Sequence, residues 1–132
     1  MVLIMSNEEL EKVMIGLDKF PVVRVSDTLK RALDSMTSFG LGFACIVNED
    51  GILEGVLTDG DLRRILLTRQ NPLPALLVTD AIQFSGQSPK TIGSGASIQD
   101  CIDSMKKNHI ADLPVISNQN KLIGVVHFHD LI

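Results

Sequence analysis

A chain of 132 residues that is 45% apolar can build a core without disulfides or structural metals. A formal charge of −4 and the absence of Trp and Tyr argue against a surface made for nucleic acid, which needs clustered positive charge and stacking aromatics. No run approaches the roughly 20 apolar residues of a membrane span, and the start Met1-Val2-Leu3-Ile4-Met5 lacks the charged leader of a signal peptide, so a cytoplasmic chain with no membrane partner is expected.

In chain order, an amphipathic helix is predicted over Asn7 to Ile15 behind a Ser6 cap and Glu9. Val22 to Val25 reads as a short β-branched strand. Ser26 and Asp27 supply a helix start before the stripe Leu29, Ala32, Leu33 and Met36, and Gly40 and Gly42 stop that helix. Phe43 to Val47 is an apolar strand, Asn48-Glu49-Asp50-Gly51 a hairpin turn and Ile52 to Leu57 the returning strand, before a helix from Asp59 to Thr68. Asn71-Pro72-Leu73-Pro74 and Gln83 to Pro89 read as connections flanking a short helical link, Val78 to Ile82. The order then recurs: strand Thr91-Ile92, a helix from Ser97 with Asp100 as capping-box partner, strand Leu113 to Ile116, turn Ser117 to Asn120, strand Leu122 to Val126 and a last helix near Phe128. Cys45 and Cys101 sit in apolar patterns and read as buried thiols rather than redox or zinc ligands.

This recurrence is an internal repeat. A shift of 69 residues carries Gly55-Val56-Leu57-Thr58-Asp59-Gly60-Asp61-Leu62 onto Gly124-Val125-Val126-His127-Phe128-His129-Asp130-Leu131, and Asp34-Ser35-Met36 onto Asp103-Ser104-Met105. The predicted fold class is therefore α/β, two tandem βαββα units. The domains are an N-terminal helical extension over 1–20, a first motif over 21–70, a linker over 71–88 and a second motif over 89–132. Half a repeat cannot cover its own apolar face, so the copies are expected to pack together with a ligand where they meet.

A strand that ends in Thr58 and turns at once into a helix aims backbone N–H groups and the helix dipole at an anion. Thr58 can donate to a phosphate, Asp61 can accept from a ribose, and Gly55 and Gly60 leave room for a ligand against the backbone. The competing reading makes Thr58 an N-cap and Asp61 its first-turn carboxylate. Arg63 and Arg64 leave the same helix start and suit phosphate or carboxylate, or a solvated face. His127 and His129 alternate along a strand end beside Asp130, with His127 in the place of Thr58. Two imidazoles without a third ligand do not make a metal site, and no catalytic set, P-loop or dinucleotide fingerprint is present, so no catalysis is expected.

The Gly-hydrophobic-x-Thr-x-x-Asp signature over Gly55 to Asp61, with His109-Ile110-Ala111-Asp112-Leu113-Pro114-Val115-Ile116 in the second copy, resembles the cystathionine-β-synthase (CBS) domain pair across residues 22 to 132. The resemblance implies pseudo-twofold symmetry and a nucleotide-type ligand. The ligand-binding set expected from it is Thr58, Asp61, Arg63, His109, His127, His129 and Asp130, His109 reaching ligand phosphate or merely ending its helix. Thr58-Asp59-Gly60-Asp61-Leu62-Arg63-Arg64 and His127-Phe128-His129-Asp130-Leu131 are similar to the C-terminal CBS pair of bacterial D-arabinose 5-phosphate isomerases, which begin Kdo synthesis for lipopolysaccharide. That likeness implies a fragment whose isomerase domain is missing, a homodimer or higher homo-oligomer, no resident cofactor, and CMP-Kdo as regulatory ligand, with AMP or ATP as runner-up. A related string resembles CBS pairs attached to sugar-nucleotide transferases. The rival from another class is an oligomerisation module that binds no small molecule.

Overall fold

The structure, a computed structural model, describes residues 10–86 and 88–132. It divides into two compact units, one of residues 18–89 and one that joins residues 1–17 to residues 90–132.

In the first of these, β2 (Val22–Arg24) runs parallel to β3 (Phe43–Val47), which pairs antiparallel with β4 (Leu53–Thr58). Between β2 and β3 lies α1 (Leu29–Phe39), whose buried stripe of Leu29, Ala32 and Met36 follows the helical period. Its cap is Thr28, which accepts from the Arg31 N–H at 3.2 Å, rather than the expected Ser26 or Asp27. Asp27 is spent one step earlier, its carboxylate accepting from the Arg24 N–H at 2.7 Å to close the turn after β2. Gly40 ends α1 in the left-handed conformation at φ 66°, where a Cβ would be strained. The hairpin turns on Gly51 at φ 80°, with the Asn48 side chain accepting from the N–H groups of Asp50 and Ile52. β4 runs directly into α2 (Asp59–Thr68), as expected.

The linker departs from expectation. Its helix is α3 (Leu73–Leu77), with Pro at the start where a missing N–H costs nothing, followed by a 3-10 turn over Ala81–Phe84. Pro72 and Pro74 begin a helix rather than prevent one. Buried Leu76, Ala81 and Phe84 join Val23, Ile46 and Leu57 in one core.

The other unit repeats the design with one addition. β5 (Ile92–Gly93) is parallel to β6 (Asp112–Ile116), β6 is antiparallel to β7 (Leu122–His127), and β1 (Ile15–Gly16) adds to the far edge of β7, pairing Ile15 with Val125. The expected N-terminal helix thus ends earlier: residues 10–13 are helical and Ile15 is strand, while residues 1–9, Ser6 and Glu9 among them, lie outside the described residues. α4 (Ile98–Asn108) carries the expected capping box, Ser97 accepting from the Asp100 N–H and the Asp100 carboxylate accepting from the Ser97 N–H. The expected last helix is a 3-10 turn over Phe128–Asp130. Leu10, Cys101, Met105, Leu113, Val115 and Val126 form this core. Burial pushes the Cys101 thiol above its ordinary range, with the neighbouring Asp100 charge adding to the shift.

The repeat persists in fine detail. The β-hairpins shift register at Ile46/Val47 and again at Val115/Ile116, and Ser117 accepts from Gln119 and Lys121 as Asn48 accepts from Asp50 and Ile52. Among the described residues, no helix is long and apolar enough to cross a membrane.

Candidate ligand-binding site

The signature residues of the first half lie where β4 becomes α2. Thr58 is the N-cap: its hydroxyl oxygen accepts from the Asp61 N–H at 3.2 Å, and Asp61 Oδ2 accepts from the Thr58 N–H at 2.8 Å and from its hydroxyl at 3.1 Å. Asp61 Oδ1 takes the Arg64 guanidinium at 3.0 Å, on a carboxylate that is only 13% exposed. The helix-start reading of this pair is therefore realised. Arg64 also donates to the Phe84 carbonyl at 3.4 Å, so it braces α2 against the 3-10 turn, while Arg63 stays exposed beside the cap.

Sequence reasoning expected the space at Gly55 to be open to a ligand, but it is filled by the protein itself. A Cβ on Gly55 would strike the Ser85 hydroxyl and come within 3.0 Å of Ile82, so the 3-10 turn packs closely against that glycine. A Cβ on Gly60 would meet Thr58 at an ordinary 3.6 Å, so space does not require glycine there. The counterpart of Gly55 is Gly124, where a Cβ would collide with Met14 and with the Ile15 carbonyl at 2.8 Å.

In the second half His127 holds the position of Thr58 but makes no side-chain cap. Its Nδ1 lies 2.7 Å from Asp112 Oδ1, directly across the β6–β7 ladder, both side chains being partly exposed. The equivalent cross-strand pair in the first half is Phe43 with Thr58, so both partners have changed together. Asp112 was missed from sequence: even counting back from the turn at Ser117 to Asn120 sets it opposite Val126, and only the register shift at Val115/Ile116 brings it opposite His127. His129 follows on the 3-10 turn, its ring centroid 5.4 Å from that of His127, and Asp130 is exposed beside it. His109 is the C-cap of α4 at φ 55°, the left-handed position that Gly40 fills in the first half. The structure thus groups Thr58, Asp61 and Arg63 in one unit and His109, His127, His129 and Asp130 in the other. Among the described residues, no three His, Cys, Asp or Glu side chains are placed to hold a metal ion.

Two βαββα units that repeat each other to the level of register, each placing a polar cluster where the last strand ends, define a tandem domain pair. The chain belongs to the CBS domain family, whose model matches residues 11–68 and 82–132. Its curated relatives include two named arabinose 5-phosphate isomerase KdsD. The one from Pseudomonas aeruginosa is 31% identical over 94% of this chain and 37% of its own length; the one from Francisella tularensis is 29% identical over 94% and 36%. The chain therefore spans a little over a third of these relatives. Among solved structures, CBSX2 in complex with AMP matches with a TM-score of 0.79, covering 92% of this chain and 91% of that one at 19% identity, a likeness of fold alone.

Proposed function

We propose that this chain is the ligand-sensing CBS pair of an arabinose 5-phosphate isomerase, and that it holds a nucleotide or sugar nucleotide at the two signature motifs. The single observation that supports this reading most is the match, over 94% of this chain, to isomerases of that name, since it spans both motifs and not one of them. Thr58, Asp61 and Arg63 in one unit, and His109, His127, His129 and Asp130 in the other, offer donors for phosphate and carboxylates for ribose hydroxyls. CMP-Kdo is the ligand we favour, because an activated acidic sugar formed downstream of the isomerase is a natural feedback signal. Signalling then needs differential affinity: the ligand must prefer one state of the pair, and only that preference can act on an attached catalytic domain.

An adenine nucleotide is the second reading, favoured by the fold shared with an AMP-bound protein. A ligand-free oligomerisation module is the third; Leu66 and Leu67 of α2, with Leu73 and Val78 beyond it, are exposed apolar side chains suited to a symmetric interface.

Thermal melting of the chain with CMP-Kdo, CMP, AMP and ATP in turn separates these readings. A ligand present at about 100 times its dissociation constant adds roughly 2.7 kcal/mol of stability. The preferred nucleotide raises Tm, and an Asp61→Ala, Asp130→Ala double variant loses that rise. No shift with any of the four, together with concentration-dependent assembly by sedimentation, would leave the oligomerisation module standing instead.

A further inference from the structure

Between the C-terminal end of α2, α3 and the 3-10 turn over Ala81–Phe84 lies a pocket of about 220 Å³. Its floor belongs to the core: Leu76 and Phe84 are 6% and 4% exposed. Its rim is polar, carrying the Arg69 guanidinium, the Asn71 and Gln83 amides and the Thr79 hydroxyl. Backbone hydrogen bonds pin the walls. The Leu29 N–H donates to the Thr79 carbonyl at 2.8 Å, the Gln83 N–H to the Asp80 carbonyl at 3.1 Å and the Arg69 N–H to the Ile65 carbonyl at 2.9 Å. A pocket held in this way is formed before anything binds, which spares a ligand the cost of ordering it.

Arg69 closes α2 as its C-cap, and a cation there complements the helix dipole, the ordinary reason for an arginine at that place. The dipole does not explain where the side chain lies. The guanidinium stands over the Phe84 ring, 5.5 Å from its centroid, and among the described residues no carboxylate pairs with it. Arg31 and Arg64, on the two neighbouring helices, each have an aspartate. The ring steadies the Arg69 side chain without supplying an acceptor for the planar fork that matches carboxylate or phosphate. The Asn71 and Gln83 side chains likewise make no hydrogen bond among the described residues. The Thr79 hydroxyl donates to the Ala75 carbonyl at 2.8 Å and keeps its oxygen for accepting.

We propose that this pocket is a second binding site, for a small hydroxylated anion the size of a single sugar: Arg69 takes its phosphate or carboxylate, and Asn71, Thr79 and Gln83 take its hydroxyls. Volume sets the size, since it falls below the roughly 300 Å³ at which ligand pockets usually begin and leaves no room for a nucleotide. Four polar side chains over two core residues suit a polyol better than a base. Position separates the pocket from the signature residues, because Thr58 and Asp61 open α2 and Arg69 ends it, ten helical residues or about 15 Å along the axis. The proposal therefore stands apart from the nucleotide reading of the two motifs.

The test titrates the full chain with D-arabinose 5-phosphate and D-gluconate, with D-arabinose as the neutral control and inorganic phosphate as the bare anion, following the side-chain amide resonances of Asn71 and Gln83 and the Nε–H of Arg69. The expected result is that at least one anionic polyol shifts all three, that arabinose and inorganic phosphate act at least tenfold more weakly, and that Arg69→Gln weakens the response at least tenfold. A response to the sugar phosphate alone assigns the anion as phosphate, and one to gluconate alone assigns it as carboxylate. Gln83→Glu gives Arg69 a carboxylate of its own and is expected to abolish binding without lowering Tm. Shifts that survive both substitutions, shifts equally strong with inorganic phosphate or arabinose, or none at millimolar polyol overturn the proposal. The Asp61→Ala, Asp130→Ala variant is expected to keep the polyol response while losing nucleotide stabilisation. A polyol response lost in that variant moves the ligand to the signature motifs and overturns the pocket, whereas nucleotide stabilisation that survives there defeats the sensor reading and leaves the pocket standing.

Discussion

Thr58 both caps a helix and carries the family signature, and the hydrogen bonds decide how far the two roles are compatible. Asp61 spends three contacts on Thr58 and Arg64, yet a carboxylate offers about four lone-pair sites, so a ribose hydroxyl can join without breaking the cap. The Thr58 hydroxyl is less free: its proton points at Asp61 and must turn away to reach a phosphate, although its oxygen can go on accepting from the Asp61 N–H. Thr58→Ala is therefore expected to lower stability by about 1 kcal/mol with or without nucleotide, and Thr58→Ser to restore it, both read from urea midpoints. The His127–Asp112 pair has no such cap to maintain. The residue types at the signature were legible because the repeat put them side by side in sequence. Their internal bonding was not, because the same Thr and Asp serve a cap and a ligand with identical spacing.

At the scale of elements, the glycines before the signature do structural work that is alike in both halves. Gly55 accommodates the 3-10 turn, and Gly124 accommodates Met14 and the Ile15 carbonyl as β1 crosses the edge of β7. At Gly124 the obstacle includes backbone, which cannot swing aside as the Ser85 hydroxyl can at Gly55. Gly124→Ala should accordingly cost about 1–3 kcal/mol by overpacking, and Gly55→Ala less. Gly93→Ala, where a Cβ meets nothing within 4 Å, should stay within about 0.5 kcal/mol in the same denaturation series. The hairpins and both long helices follow from period, turn chemistry and caps, all local signals. Thr28 was overlooked because Ser26 and Asp27 are equally good caps on paper; Asp27 was already committed to the Arg24 N–H. α3 was overlooked because Pro72 and Pro74 read as breakers, when proline at a helix start removes a donor that has no partner anyway.

For the molecule as a whole, the unit built on residues 90–132 depends on a segment that precedes it by more than seventy residues in the chain. Leu10 is buried among Cys101, Met105 and Leu113, and Ile15 and Gly16 complete the edge of β7. Deleting residues 1–17 should destabilise this unit selectively. Hydrogen exchange is the measurement: the amides of β7 at Gly124 and Val125 are expected to lose protection, with those of β3 and β4 unchanged. Equal loss in both units would mean that the segment serves the molecule in some other way.

The sequence by itself determined the α/β class, the doubled unit and the family, because periodicity, turn residues and a repeated signature are properties of neighbours along the chain. The tertiary structure alone decided that β1 belongs to the sheet of the later half and that Asp112 faces His127. Those features arise from hydrogen bonds and packing between residues distant in sequence, and a two-residue strand or a single cross-strand partner leaves no local pattern to read.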